Sequence, residues 1–339
     1  MTSACNPKRK TPIDAKVSRR RFAAAAGAGL VWPRVMAQAP GKALRVVVPY
    51  PAGGGTDAIA RLLADRIGLL ERRTVIVDNR GGAGGRLGVQ SVKHADSDGS
   101  VLLFSPDFPL TIYPHIYKRL PYELDDFSAV AACATSSYAI CVGPALMDSI
   151  RTVPDLIAWC RTHRQEALYG SPSAGSAAHF AGFLLARSAG LELTHVPYKG
   201  GASALQDLIS GQVPFSINPI GEILQYAQAG RLRLLATTGA GRSQLLPDVP
   251  TLLESGIKES IVTSWAGFFV PARTPAATIQ RLNAMLSAAI AEPGVTALLQ
   301  RLGMELSAPS SSATFSAAVH ADSARWKDVV RLAGFSAGD

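Results

Sequence analysis

One stretch limits the possible folds of this chain more than any other. VVVPYPAGGGTDAIARLLADRI, residues 46–67, runs from an apolar strand through a Pro/Gly loop into an amphipathic helix. Leu44 to Val48 reads as the strand. Thr56 is placed to cap a helix that carries Ile59, Leu62, Leu63, Ile67 and Leu70 on one face. The successive glycines Gly53, Gly54 and Gly55 free the backbone to turn its N–H groups outward at the positive end of the helix dipole. A strand–loop–helix of this kind belongs to α/β proteins, and its loop is a ready anion site.

The rest of the chain repeats the alternation. Strands are expected at 74–78, 100–105, 128–134, 138–143, 167–170, 193–196, 213–217, 232–237 and 265–270. Helices are expected at 57–70, 154–163, 176–188, 202–209, 220–229, 275–291 and 312–330. This implies an α/β architecture with a largely parallel sheet, or two of them. Glycine-rich turns recur where strands meet helices: DNRGGAGGRLG at 78–88, YGSPSAGSAAH at 169–179, and Gly200-Gly201. In the second of these Ser176 is a credible N-cap, with Phe180, Ala181, Leu184 and Leu185 as the buried stripe. Loops at the carboxyl ends of strands converge on one crevice in an open α/β sheet.

Charge is concentrated at one end. Of the formal +9, the first 39 residues hold eight basic residues against Asp14, a net of +7, which leaves +2 for the remainder. A body so close to neutral lacks the footprint of a nucleic-acid binder. The basic segment instead leads through Ser18-Arg19-Arg20-Arg21-Phe22 into an apolar Ala23–Met36 run and a small-x-small site at Ala37-Gln38-Ala39. That order resembles a twin-arginine export signal, removed after about Ala39. The apolar run is shorter than the roughly 20 residues of a membrane span. The mature protein is expected in the periplasm. Cys133, Cys141 and Cys160 remain there, an odd number; Cys133 and Cys141 could pair only if residues 129–143 form a hairpin.

Catalytic signatures are few. The histidines lack H-E-x-x-H spacing, no cysteine pair has zinc spacing, and neither G-x-S-x-G nor a P-loop occurs. Gly53-x-Gly55-x-x-Ala58, with Asp78 twenty residues on, does fit a dinucleotide fingerprint. The alternative it raises is an exported NAD(P)-dependent oxidoreductase. Against it, Pro49-Tyr50-Pro51-Ala52 separates strand from glycine where the fingerprint expects almost no gap.

Separated motifs in one order carry a family resemblance: VVPYPAGGGTD (47–57), VDNRGGAGGRLG (77–88), DGSVLLF (98–104), YGSPSAGSAAH (169–179), THVPYKGGASAL (194–205), DLISGQV (207–213), GRLRLLATT (230–238), LPDVPTLLESG (246–256) and WAGFFVPARTP (265–275). Together they resemble the Bug-type extracytoplasmic solute receptors, the binding proteins of tripartite tricarboxylate transporters. The resemblance implies a type II-like periplasmic-binding-protein fold of two α/β domains with a ligand cleft between them. After the signal at 1–39, domain 1 would comprise 40–141 and 266–339, and domain 2 would comprise 142–265. The crossings would fall near Cys141–Gly143 and Trp265–Phe269. It further implies a non-enzymatic, monomeric receptor without cofactor or metal. Such a receptor captures a di- or tricarboxylate, amino acid or aromatic acid for transporter subunits or a sensor-kinase ectodomain.

Family members hold small carboxylates through backbone N–H groups and ordered water. By position, the candidates are Gly53, Gly54, Gly55, Thr56 and Asp57, faced by Ser171, Ser176 and His179. A carboxylate at Asp57 would repel an anion, so its N–H, or its side chain as a turn cap, is the useful part. The chain departs from the family pattern at Pro214, at Ser216–Ile220 and at Ser105-Pro106-Asp107-Phe108-Pro109. There Phe108 is expected to line the cleft and favour a ligand with an apolar or aromatic part.

Overall fold

Val46, Val47 and Val48 are all buried, so both faces of their strand are covered and β1 (Leu44–Val48) lies inside a sheet. A computed structural model describes residues 42–338. The expected export signal, its Ala39 end and Cys5 lie outside the described residues. The first helix, α1 (Gly55–Glu71), buries Ile59, Leu63 and Ile67, while Leu70 is 50% exposed at the end expected to be covered. Next come β2 (Val75–Asn79), α2 (Arg86–Lys93) and β3 (Val101–Pro106), and both flanking strands pair parallel to β1. Two single-turn helices follow, α3 (Phe108–Thr111) and α4 (Tyr113–Ile116), each with a proline in its first turn.

The chain then enters β4 (Phe127–Val142), sixteen residues long. A second alternating run comprises α5 (Val153–Thr162), β5 (Leu168–Ser171), α6 (Ala177–Ala189), β6 (Thr194–Pro197), α7 (Gly201–Ile209), β7 (Phe215–Pro219), α8 (Ile220–Gln228) and β8 (Arg233–Thr237). The return strand β9 (Thr263–Pro271) leads to α9 (Ala276–Ile290), α10 (Pro293–Arg301), the short β10 (Glu305–Leu306) and α11 (Ser312–Ala333). Side-chain caps start several helices: Thr152 and Asp155 form a capping box on α5, and Ser311 accepts the Thr314 N–H on α11. Among the described residues no single helix is long and apolar enough to cross a membrane.

The strand order is β2-β1-β3-β9-β4-β7-β5-β6, with β8 and β10 also pairing β4. Only the two flanks are parallel. The centre, where β3, β9, β4 and β7 meet, is antiparallel, which corrects the expectation of a largely parallel sheet. The physical reason is that β9 brings the chain back beside the strand that carried it out, and a return strand must run the opposite way. Residues Phe127–Ser137 of β4 pair with β9, and Tyr138–Val142 pair with β7. One strand thus serves two sheets and changes partner at Ser137–Tyr138, a few residues before Cys141.

Two strands were expected at 128–134 and 138–143, with a hairpin only as the condition for a Cys133–Cys141 pair, and a single strand stands there instead. The junction, Thr135-Ser136-Ser137, contains none of the Gly, Pro, Asn or Asp that a tight turn needs. Cys133 and Cys141 therefore lie about 26 Å apart along one extended strand. Both are free and buried, as is Cys160.

Each flank has its own core. Val46, Leu102, Phe104, Phe268 and α9's Leu282 and Leu286 pack in one; Ile140, Tyr169, Phe180 and Phe215 pack in the other. Helix α11 contributes to both sides of the partner change. Its Phe315 and Val319 pack with Phe269 and Tyr122, while its Trp326, Val329 and Val330 join Phe180.

Candidate functional site

The β1–α1 loop presents backbone rather than side chain. Pro51 to Gly55 are all exposed, and Gly53 has φ of 91°, the left-handed region that glycine alone adopts at little cost. Helix α1 starts two residues earlier than the Thr56 cap requires. Gly54 occupies the N-cap position and no side chain caps the helix. The N–H groups of Gly55 and Thr56 thus have no partner within the helix and face outward.

Asp57 supplies the local fastening. Its buried carboxylate accepts the Gly53 N–H at 2.8 Å and Arg61 Nε at 2.9 Å through Oδ2, and Asn79 Nδ2 at 2.9 Å through Oδ1. Burial opposes the charge, but Arg61, the Gly53 N–H and Asn79 outweigh it and hold the carboxyl below its ordinary range. Its negative charge is spent inside the loop. Asp78, the acidic residue of the dinucleotide fingerprint, is likewise engaged, with Arg80 Nε at 2.9 Å.

The β5–α6 loop is built on a second fastening. Ser176 caps α6 by accepting the His179 N–H at 3.2 Å, and its own hydroxyl donates to the Ser173 carbonyl at 2.7 Å. The His179 ring turns away from the loop's outer face. Its Nδ1 accepts the Gly175 N–H at 3.1 Å, and the ring stacks on His195 with centroids 4.0 Å apart. His195 Nε2 lies 2.7 Å from the hydroxyl of Ser171, which is fully buried. Burial pushes His179 down to about 4, and burial together with its neighbour does the same to His195. Both rings are neutral near pH 7, as two stacked cations at that spacing could not be.

Between the β5–α6 loop and the α3–α4 segment lies a cavity of about 350 Å³. Phe108 and Ser176 both line it, so two of the expected site residues meet there. Tyr113, Tyr117 and Tyr138 form the aromatic wall with Phe108, and Ser173 to Ala178 form the opposite one. Ser171 and His179 sit behind that second wall, and Gly53 to Asp57 are not part of the lining. Tyr50, at the start of the glycine loop, reaches toward the cavity through its ring, 6.1 Å from Phe108. Sequence reasoning missed the three tyrosines of the wall. The i, i+4 spacing of Tyr113 and Tyr117 beside the unusual Ser105–Pro109 segment was the available signal.

Behind Phe108 lies Asp107, 1% exposed. Ser264 Oγ donates to its Oδ1 at 2.6 Å, and Oδ2 has no partner. Burial pushes this carboxyl up to about 7.

Comparison with known proteins follows the same lines. A family profile described as the tripartite tricarboxylate transporter family receptor matches residues 59–335. A protein from Pseudomonas sp. encoded in the tcbD–tcbE intergenic region is 36% identical over 303 residues, covering 87% of this chain and 89% of that one. The protein BugT of Bordetella pertussis is 30% identical over 314 residues, covering 91% and 94%. Among solved structures, R. palustris Rpa4515 with adipate superposes with a TM-score of 0.74 at 30% identity, covering 88% of this chain and 99% of that one.

Proposed function

The chain belongs to the tripartite tricarboxylate transporter receptor family, and from that premise we propose that it captures a small organic carboxylate outside the cytoplasm. Its fold is that of the periplasmic binding proteins, and its role is that of a solute-binding receptor. The observation that carries the carboxylate reading is the pair of loops. Each presents unpaired backbone N–H groups at the start of a helix, Gly55 and Thr56 on α1 and Ala177 and Ala178 on α6. Such donors hold a carboxylate without a buried cation to desolvate. The relative that carries adipate supports the same reading.

In this account Gly53 to Thr56, Ser176 and Phe108 contact the ligand. Asp57, Ser171 and His179 are positioning residues that hold the two loops in shape. The lobes before and after Ser137–Tyr138 close on the ligand by hinge motion through β4 and β9. The N-terminal segment directs export, and the closed form is handed to a transporter of the tripartite tricarboxylate kind.

Titration calorimetry of the purified protein tests the reading against malate, adipate, citrate, benzoate, amino acids, NAD and NADP. Binding of at least one carboxylate with no response to either nucleotide is the expected result. Binding of NAD or NADP alone would replace the receptor with the oxidoreductase suggested by Gly53, Gly55 and Ala58.

A further inference from the structure

The cavity beside the β5–α6 loop has a composition that selects among carboxylates. Among the described residues, its walls carry no charged side chain. Phe108 and Tyr113 lie with centroids 5.6 Å apart at 59°, and Tyr113 meets Tyr117 edge-on at 5.1 Å. With Tyr50 tilted against Phe108, these rings form a ladder of tilted and edge-on contacts. One polar tip of the ladder is already committed. Tyr113 donates its hydroxyl to the Gly84 carbonyl at 3.2 Å, and the Arg86 guanidinium covers the Tyr117 ring at 4.1 Å. Pro172, Pro219 and Ile116 fill the remaining wall with apolar surface. Within the cavity wall the β5–α6 loop, with the Ser176 hydroxyl and the first backbone N–H groups of α6, offers the densest set of donors for an anion.

We infer that the ligand of this receptor is an aromatic monocarboxylate, whose ring occupies the cavity against Phe108 and Tyr113 while its single carboxylate meets the β5–α6 loop. The inference rests on the receptor reading above and narrows it to a substrate class. A second carboxylate on the far end of the ligand would lie against ring faces with only tyrosine hydroxyls as donors, a poor exchange for the water it leaves. A neutral ring suffers no such cost and extends the ladder by one member. The volume agrees, since about 350 Å³ lies at the small end of sites for organic ligands and suits a one-ring acid.

The test is calorimetry on the purified protein with benzoate, 4-methylbenzoate, cyclohexanecarboxylate, adipate and malate, repeated on Phe108→Leu. That variant keeps an apolar side chain at the position and removes the π face. The inference expects the benzoates to bind at least tenfold more tightly than adipate or malate. It also expects Phe108→Leu to weaken the benzoates about tenfold and to change cyclohexanecarboxylate less than threefold. Adipate or malate binding as tightly as the benzoates would overturn the aromatic assignment and leave the receptor reading standing. An equal loss for benzoate and cyclohexanecarboxylate in the variant would overturn the role of the ring ladder. Failure of every carboxylate to bind would overturn both.

Discussion

Asp107 shows how a single residue can set a pH limit. Its carboxyl is pushed up to about 7 by burial, so the folded protein holds this proton more tightly than the unfolded chain does. A raised carboxyl pKa contributes stability that is fully present below the unfolded value near 4 and is lost as pH climbs through about 7. Asp107→Asn keeps an acceptor for Ser264 and removes the titration. Urea denaturation at pH 5 and pH 8 should show the variant gaining on the wild type as pH rises, by on the order of 3 kcal/mol at pH 8. An identical pH dependence in the two proteins would show that Asp107 does not titrate there. Nothing in the sequence marks this residue as buried, because Asp107-Phe108-Pro109 reads as an ordinary turn. Its burial comes from Ser264, 157 positions away. The same limit applies to His179. Its place at the start of a helix was legible, whereas its stacking on His195 depends on how β5 and β6 pair.

Helix starts were the most legible elements. Ser176 caps α6 and Gly200 opens α7 as their local chemistry requires. The first loop was read correctly as strand, glycines and helix but not in its detail. Three glycines suggested three free positions, yet only Gly53 has a positive φ, while Gly54 sits at φ −81° with only the Pro51 carbonyl oxygen, 4.0 Å away, near where a Cβ would go. Gly53→Ala should therefore cost about 1 kcal/mol of stability and weaken carboxylate binding tenfold or more, since it distorts the turn that Asp57 fastens. Gly54→Ala keeps the turn and its ligand binding, at a cost of up to about 1 kcal/mol because Ala is a poor N-cap. Denaturation midpoints and calorimetry on both variants check this, and equal behaviour of the two would contradict the assigned turn geometry. Helices α2 and α10 were absent from the sequence reading. The glycines of 81–85 masked the start of α2, and the short span of α10 hid a proline at its first position.

At the scale of the whole molecule, the α/β alternation was legible because each helix and strand carries its own periodicity. The antiparallel centre was not, since β4 and β9 are separated by more than a hundred residues and pairing between them leaves no local mark. The proposed hinge closure runs through that centre, because β4 and β9 are the strands through which the two flanks are joined. Helix α11 packs on both sides of the partner change. The Leu302–Gly303 backbone approaches Gly221 at the start of α8 so closely that a Cβ there would lie 2.2 Å from the Leu302 carbonyl oxygen. Leu302 also lies 3.7 Å from the Cβ position of Gly55, which puts the first turns of α1 and α8 against one residue. The measurement that tests the central claim most directly is a crystal structure of the protein with its tightest-binding carboxylate. The account predicts the carboxylate oxygens about 2.7–3.2 Å from backbone N–H groups of the α6 first turn, with the β1–α1 glycine loop closed over the ligand. A carboxylate bound away from the α6 first turn, or a ligand seated away from Phe108 and Ser176, would contradict it.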